Sequence, residues 1–387
     1  MSARDANPVL PPATVGIVGG GQLGWLMAGA AGRLGYDTVV LDPDPGCTAT
    51  RTATAHIVAD FRDPDALADL ASRCDLLLLD NEHIPGGPLA EIAAHTPVYP
   101  APAALLRIQD RLEQRRMLSE LDVPQSPYHA VGDDDELAAA MRADLFPGVL
   151  KSRRGGYDGR GQVRVAAAGD LPEAWAALDR RPAVLERWID FEREISLILV
   201  RGHDGEVVFF PPLWNRHRDG VLARTEVPAP IADEVTAAGR ELVRTMAAAL
   251  DYVGVFTVEF FLRPDGELLV NEIAPRVHNS GHVTLDACAT SQFEQQVRAA
   301  CGLPLGSCEL RHDAVMYNLL GDLWEAGEPD FTPLLAIPDT RLYLYRKSPR
   351  PGRKMGHVVT RLAHDERLAR ALDDLRPPPA RAAGGCA

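Results

Sequence analysis

Short apolar runs alternating with helix-length stretches restrict the first hundred residues to a doubly wound, parallel α/β sheet. Thr14–Val18 reads as a strand, followed by glycines and a helix through about Leu34. Residues 38–41 and 75–79 read as further strands, the second preceded by a helical stretch at Pro64–Ser72. Parallel neighbours need a long crossover, and the intervening helices supply it. The first strand meets its helix in the turn Gly19-Gly-Gly-Gln-Leu-Gly24, and Asp42 ends the next strand. Together these match a dinucleotide-binding arrangement. The same turn also suits any phosphate at a helix N-terminus, or a turn that needs glycine only for packing.

Beyond residue 100 the pattern changes. Residues 103–121, rich in Arg and Glu, read as one long helix. Residues 149–165 read as strand, glycine loop and strand; 183–186 and 194–200 are strands, and 232–250 form an amphipathic helix. A hairpin follows, with arms at 253–262 and 267–273 around the turn Arg263-Pro-Asp-Gly266. Strands at 314–318 and 341–345 belong to a smaller C-terminal region. The expected division is an N-terminal α/β domain (1–100), a small subdomain (101–190), a large subdomain (191–304), a C-terminal domain (305–375) and a disordered tail (376–387).

A net charge of -14 excludes a general binder of nucleic acid or anionic membrane. No apolar run approaches the roughly 20 residues that span a bilayer. The 6 cysteines include no Cys-x-x-Cys pair, which fits a reduced, cytoplasmic chain without structural zinc.

The hairpin carries two glutamates. With residue 262 opposite 267, Glu259 faces 270 and Glu272 faces 257, so the carboxylates share one face as diagonal neighbours, about 7–8 Å apart. Their repulsion is relieved by a shared cation, and hard oxygen ligands that leave room for water and phosphates suit Mg²⁺. The chain continues as Asn271-Glu-Ile-Ala-Pro-Arg-Val-His-Asn-Ser-Gly-His282, a dense polar turn after an apolar strand. Such crowding marks a site.

Lysine is scarce: of 40 Lys+Arg residues, only Lys151, Lys347 and Lys354 are lysine. An ammonium is a compact point charge, whereas a guanidinium is a planar fork. Lys151 ends a strand just before Gly155, Gly156, Gly159 and Gly161, with Arg153, Arg154 and Arg160 alongside. Glycine amides and these cations together favour an anion, although the order differs from the P-loop, where lysine follows the glycines.

Four motifs taken together carry a resemblance over about Thr14 to Val359. They are Gly20-Gly-Gln-Leu-Gly24, Gly155-Gly-Tyr-Asp-Gly-Arg-Gly-Gln162, Asn271 to His282, and Arg350-Pro-Gly-Arg-Lys-Met-Gly-His357. The chain resembles the ATP-grasp superfamily and, within it, the 5-(carboxyamino)imidazole ribonucleotide synthase family. The resemblance implies an ATP-grasp fold, α/β and α+β, with an N-terminal doubly wound parallel-sheet domain and a small C-terminal domain. It implies a ligase in which ATP phosphorylates bicarbonate and the resulting carboxyphosphate carboxylates 5-aminoimidazole ribonucleotide, in IMP biosynthesis. By similarity, Arg111 and Lys151 contact ATP phosphates, and the loop Gly156, Tyr157, Asp158, Gly159, Arg160, Gly161 and Gln162 folds over them. Glu186, Arg187, Trp188 and Ile189 resemble the linker whose backbone reads adenine. Glu194 resembles the ribose acceptor and His217 a nucleotide contact. Glu259 and Glu272 would hold Mg²⁺, or Mn²⁺ in its place, with Asn271 beside them at the nucleotide. Arg276, His278 and Lys354 would serve the carboxyl transfer. Gln22, Glu82, Tyr157, Asp158, Arg160, Asn279, Ser280, Lys347, Arg353 and Lys354 would hold the ribonucleotide. A homodimer is the family's implied assembly.

The chain departs from the family pattern at Ala274, where many ATP-grasp enzymes carry Asn, and at Asp80-Asn-Glu-His83, where a Glu-x-Glu-Asn pattern is usual and Glu82 alone matches cleanly. Three other readings stand beside this one: a formate-dependent ligase acting on glycinamide ribonucleotide, a nicotinamide oxidoreductase built on the first glycine turn, and a nucleotide sensor without catalysis.

Overall fold

The structure, a computed structural model, describes residues 7–156 and 160–375. Tyr157, Asp158 and Gly159, and the tail expected from 376, lie outside the described residues. In chain order the N-terminal elements are β1 (Thr14–Val18), α1 (Gln22–Arg33), β2 (Asp37–Leu41), β3 (Ala55–Ile57), α2 (Pro64–Ser72), β4 (Leu76–Leu79), α3 (Gly86–Ile92) and β5 (Val98–Tyr99). The strands form a parallel sheet of order β3-β2-β1-β4-β5. Leu76 to Leu79 are all buried, as a strand covered on both faces requires. Each such leucine contributes about 1.5–3 kcal/mol relative to exposure.

Next come α4 (Pro102–Gln109), α5 (Arg111–Glu120), β6 (Tyr128–Val131), α6 (Asp134–Ala140), β7 (Gly148–Ser152), β8 (Gln162–Val165), α7 (Leu171–Ala177) and β9 (Ala183–Arg187). The helix expected over 103–121 is therefore two helices. Asp110 has φ -102° and ψ 113°, outside the helical region, and its carboxylate accepts the Leu112 amide at 3.0 Å. The same carboxylate takes a bidentate grip from Arg153 at 2.9 and 2.8 Å. A capping aspartate inside an Arg-rich run thus ends one helix and starts another. Strands β6-β9-β7-β8 form a small antiparallel sheet with its own core around Leu150, Trp175 and Leu185.

The third group is β10 (Arg193–Arg201), β11 (Val207–Phe209), β12 (Leu213–Arg218), β13 (Val221–Val227), α8 (Asp233–Ala249), β14 (Gly254–Leu262), β15 (Leu268–Ala274), α9 (Thr284–Ala287), α10 (Gln292–Ala300), β16 (Ala314–Leu320), α11 (Thr332–Leu335), β17 (Arg341–Leu344), β18 (Lys354–Arg361) and α12 (Asp365–Asp374). Its sheet runs β15-β14-β10-β12-β13-β16-β18-β17, with β11 also on β10. Residues 191–304 and 305–375, expected as two domains, thus share one nine-stranded sheet, joined where β13 pairs with β16. Helices α4 and α5, expected with the small subdomain, place Ile108, Met117 and Leu118 in the core of β10, β14 and α8. Met27 and Ala30 of α1 pack in one core with Phe293 and Val297 of α10, so apolar contact fixes the N-terminal domain against the large sheet.

Candidate active site

The two hairpin glutamates meet because the strand is irregular. The turn pairs Leu262 with Leu268 and Phe260 with Val270. An unbroken ladder would then set Asn271 opposite Glu259 and turn Glu272 to the other face. Instead the register shifts, Asn271 becomes the extra residue of a bulge, and Glu272 stands directly opposite Glu259. The diagonal arrangement expected from sequence is replaced by a face-to-face pair, since both the turn and the bulge move the register by one. Burial, opposed by His217 and reinforced by Glu272 and Glu194, pushes the Glu259 carboxyl up to about 7. Among the described residues no group of three or more His, Cys, Asp or Glu side chains could hold a metal ion.

Beside the pair lies a chain of charges. Arg111 on α5 reaches Glu272 at 3.5 Å and Glu186 at 3.4 Å. Glu186 on β9, 3% exposed, also binds Lys151 at 2.8 Å and Arg115 at 2.8 Å. Lys151 further donates to the Asn271 amide oxygen at 3.4 Å. Burial lowers the Lys151 pKa, Glu186 resists this, and Arg111 and Arg115 add to it. The Glu186 side chain therefore anchors Arg111, Arg115 and Lys151, besides the backbone role expected of its segment. In that segment the Trp188 amide donates to Pro147 O at 2.9 Å and the Arg187 carbonyl accepts from Ser126 Oγ at 2.7 Å. Of the glycine loop, Gly156 lines a narrow cleft with Arg111, Glu82 and Glu272, and the Gly161 carbonyl accepts the Ser152 amide at 2.8 Å. Gln162 pairs with Lys151 across β7 and β8.

Glu194 and His217 hydrogen-bond to each other across β10 and β12. Burial lowers the His217 pKa, but the Glu194 bond and the Glu259 charge outweigh it and the net shift is upward. Glu82, just past β4, makes a two-point contact with Arg276, one arm at 3.0 Å, which joins the N-terminal domain to the turn after β15. Burial opposes ionisation of Glu82, yet Arg276 brings it down to about 2. Glu82 thus retains a defined partner although its surrounding motif departs from the family. His278 lies 3.3 Å from Glu259 and bonds Ser280 Oγ at 2.8 Å. Burial and then Arg276 hold its pKa well below 6.5, so this imidazole is neutral at pH 7. Asn279, 7% exposed, has both side-chain polar atoms unpartnered among the described residues. On the C-terminal side, Lys347 bonds Gln22 of α1, and Arg353 donates to Ser348 O at 3.0 Å. Met355 is the extra residue of another bulge, since Leu319 faces Gly356 while Leu320 faces Lys354. This puts Lys354 on the face of its strand that His357 shares.

The first glycine turn is filled from within. Its Gly20 amide donates to Asp42 at 2.7 Å, and the Gly21 and Gly24 amides donate to Asp80 at 2.6 and 3.2 Å. The groups that would hold a dinucleotide's pyrophosphate already hold carboxylates, and Asp42 spends its oxygen on the turn. A side chain at Gly24 would meet Gly19 O at 2.3 Å. Close packing explains the glycines. A cavity of about 420 Å³ between α2 and α3 holds no predicted site residue.

Sequence reasoning missed Arg115, Asp80 and Gln292. Arg115 was signalled by its i, i+4 spacing from Arg111 on one helix face. Asp80 ends a strand beside the turn it caps. Gln292 clasps the His278 backbone, accepting its amide at 2.9 Å and donating to its carbonyl at 2.6 Å; its distance in sequence gave no signal.

Comparison with known proteins agrees with this layout. Residues 12–109 match the ribonucleotide synthetase preATP-grasp domain, 116–293 the ATP-grasp domain, and 314–371 the phosphoribosylaminoimidazole carboxylase C-terminal domain. The N5-carboxyaminoimidazole ribonucleotide synthase of Brucella melitensis biotype 1 is 45% identical over 92% of this chain and 98% of that protein. A crystal structure of an ADP complex of N5-carboxyaminoimidazole ribonucleotide synthetase superposes with TM-score 0.89 and 36% identity, over 96% of this chain and 98% of the other. The Aspergillus clavatus synthase in complex with ADP and 5-aminoimidazole ribonucleotide gives TM-score 0.84 and 31% identity, over 94% and 98% of the two chains. With three successive domains matched and the paired carboxylates, Lys151 and the Arg276 turn brought together by the fold, the chain belongs to the N5-carboxyaminoimidazole ribonucleotide synthase family and is an ATP-grasp ligase.

Proposed function

We propose that the residues assembled here carry out ATP- and bicarbonate-dependent carboxylation of the amine of 5-aminoimidazole ribonucleotide. The observation that carries this reading is the position of Arg111, which touches Glu272 on one side and Glu186 on the other. It makes the carboxylate pair and the Lys151 anchor one constellation, as γ-phosphoryl transfer demands. Glu259 and Glu272 would hold Mg²⁺, with Mn²⁺ as a substitute, and the ion would neutralise phosphate charge. Arg111 and Lys151 balance the remaining phosphate oxygens, and the Gly156–Gln162 loop covers them. Ile189 and its neighbours receive adenine, and Glu194 with His217 the ribose.

A bicarbonate oxygen takes the γ-phosphoryl group, giving carboxyphosphate and ADP. The amine of the ribonucleotide then forms a bond to the carboxyl carbon, the C–O bond to phosphate breaks, and the amine loses a proton. Arg276, fixed by Glu82, offers a guanidinium to the carboxyl and phosphate oxygens. His278, uncharged, gives one hydrogen bond without a competing charge. Lys354, Lys347 and Arg353 hold the ribonucleotide, with Gln22, Asn279 and Ser280. Carboxyphosphate hydrolyses readily, so close placement of the amine and exclusion of water matter more here than acid–base strength.

A homodimer and a cytoplasmic setting complete the proposal. Among the described residues no helix is long and apolar enough to cross a membrane.

Phosphate release from ATP should require Mg²⁺ and bicarbonate, rise on adding 5-aminoimidazole ribonucleotide, and accompany carboxylation of that substrate. Formate with glycinamide ribonucleotide should give no product. A chain that uses formate instead, or leaves the aminoimidazole uncarboxylated, contradicts the proposal.

A further inference from the structure

Among the described residues Arg115 is the largest side chain with essentially no exposure, at 0%. A buried guanidinium is costly unless its donors are used. Here they are. Its Nε donates to Glu186 at 2.8 Å, one terminal nitrogen to Val270 O at 3.0 Å, and the other to Asn271 O at 2.6 Å. Val270 and Asn271 are the two residues at which β15 leaves its regular register. Both their carbonyls accept from a cation that comes from α5.

We propose that Arg115 is a positioning residue that pins the bulge at Asn271 and so holds Glu272 opposite Glu259. This rests on the reading of those two glutamates as metal ligands. The extra residue is tied from both sides: its carbonyl to Arg115 and its side-chain oxygen to Lys151 at 3.4 Å. Both cations share Glu186. The neighbouring segment reinforces the pin. Gln125 Nε2 donates to Arg115 O at 2.9 Å, and the Val270 amide donates to Pro124 O at 2.9 Å. Without the guanidinium fork the two carbonyls lose their donors, and β15 is free to return to the ladder that sends Glu272 to the other face. A lysine would keep the charge beside Glu186 but could not serve both carbonyls and the carboxylate at once. Metal affinity thus depends on a side chain that touches neither metal nor nucleotide.

The test is Mn²⁺ titration by electron paramagnetic resonance in saturating ADP, on wild type, Arg115→Met, Arg115→Lys and the double variant Arg115→Met/Glu186→Gln. The double variant also removes the charge of Glu186, which Lys151 and Arg111 still hold after the single change. Mn²⁺ affinity should fall about tenfold or more in the two methionine variants and less in Arg115→Lys. Part of the lost turnover should return at high Mg²⁺. Hydrogen exchange at Leu268–Ala274 should quicken while β10 stays protected. Folded variants with wild-type Mn²⁺ affinity and unchanged exchange in β15 would overturn the proposal. If Arg115→Met does not fold, Arg115→Lys carries the same readings. If wild type itself binds no Mn²⁺ with ADP, the metal reading of Glu259 and Glu272 fails, and exchange in β15 alone decides whether Arg115 pins the bulge.

Discussion

The five-stranded and nine-stranded sheets solve different problems. In the first, every ladder is parallel and in constant register, and its strand-end carboxylates Asp42 and Asp80 are spent on the protein's own glycine turn. In the second, the ladder breaks at three places, and each break touches a residue of the candidate site: His217, the Glu259–Glu272 pair and Lys354. Regularity builds the support; irregularity aims side chains. The glycine amides on the regular sheet serve the turn itself, although they looked like a ligand site, and the motif lends only Gln22 to the proposed ribonucleotide site, while the paired carboxylates and Lys354 sit where pairing fails.

The largest effect should come from the irregular sheet. Glu272→Gln should lower bicarbonate-dependent phosphate release at least a hundredfold, about 3 kcal/mol of transition-state stabilisation, with little change in thermal stability. A variant that keeps half its activity would leave the bulge at Asn271 without a catalytic purpose.

The contact between the two sheets should come next. Glu82→Gln breaks the part-buried pair with Arg276 and should cost up to about 3 kcal/mol in urea denaturation at pH 7. The sign with pH is set by the lowered Glu82 value. Its contribution is complete above the ordinary carboxylate value of 4.5 and is lost as pH falls to about 2, so wild type and variant should converge over that window. Curves that stay parallel to pH 2 would show that the carboxylate charge contributes nothing.

On the regular sheet, Asp80→Ala should lose about 1–3 kcal/mol by leaving the Gly21 and Gly24 amides without their acceptor, while carboxylation in the folded fraction survives. Fluorescence titration of wild type with NADH should show no binding; a saturable signal would return the first glycine turn to cofactor duty. The smallest effect belongs to the surface pair Arg73–Asp69 beyond that sheet. Arg73→Ala should change stability by about 0.3–0.5 kcal/mol, read from the denaturation midpoint.

Much of the scaffold was legible because it follows simple periods. The β1 strand and the α2 helix occur where the apolar run and the helical stretch put them, and the structure shows Asp63 capping α2. The sharing of one face by Glu259 and Glu272 was legible too, but by a different register. A period-2 reading assumes that each ladder step is the same, and two compensating shifts hid inside that assumption. Asp110 was missed because a single helix-compatible stretch gives no local sign that its aspartate is claimed by Arg153, 43 residues on. The spacing of Arg115 from Arg111 marks it as facing the same side of the helix, but its acceptors at Val270 and Asn271, like the His278 backbone that Gln292 holds, are distant in sequence and leave no local sign.

The account stands or falls on whether one cation sits between the facing glutamates. Crystals grown with Mn²⁺ and a non-hydrolysable ATP analogue, measured at the manganese edge, should give an anomalous peak bonded to both Glu259 and Glu272 and to the analogue's phosphates. A bound nucleotide with no peak there, or with manganese held by other side chains, would contradict it.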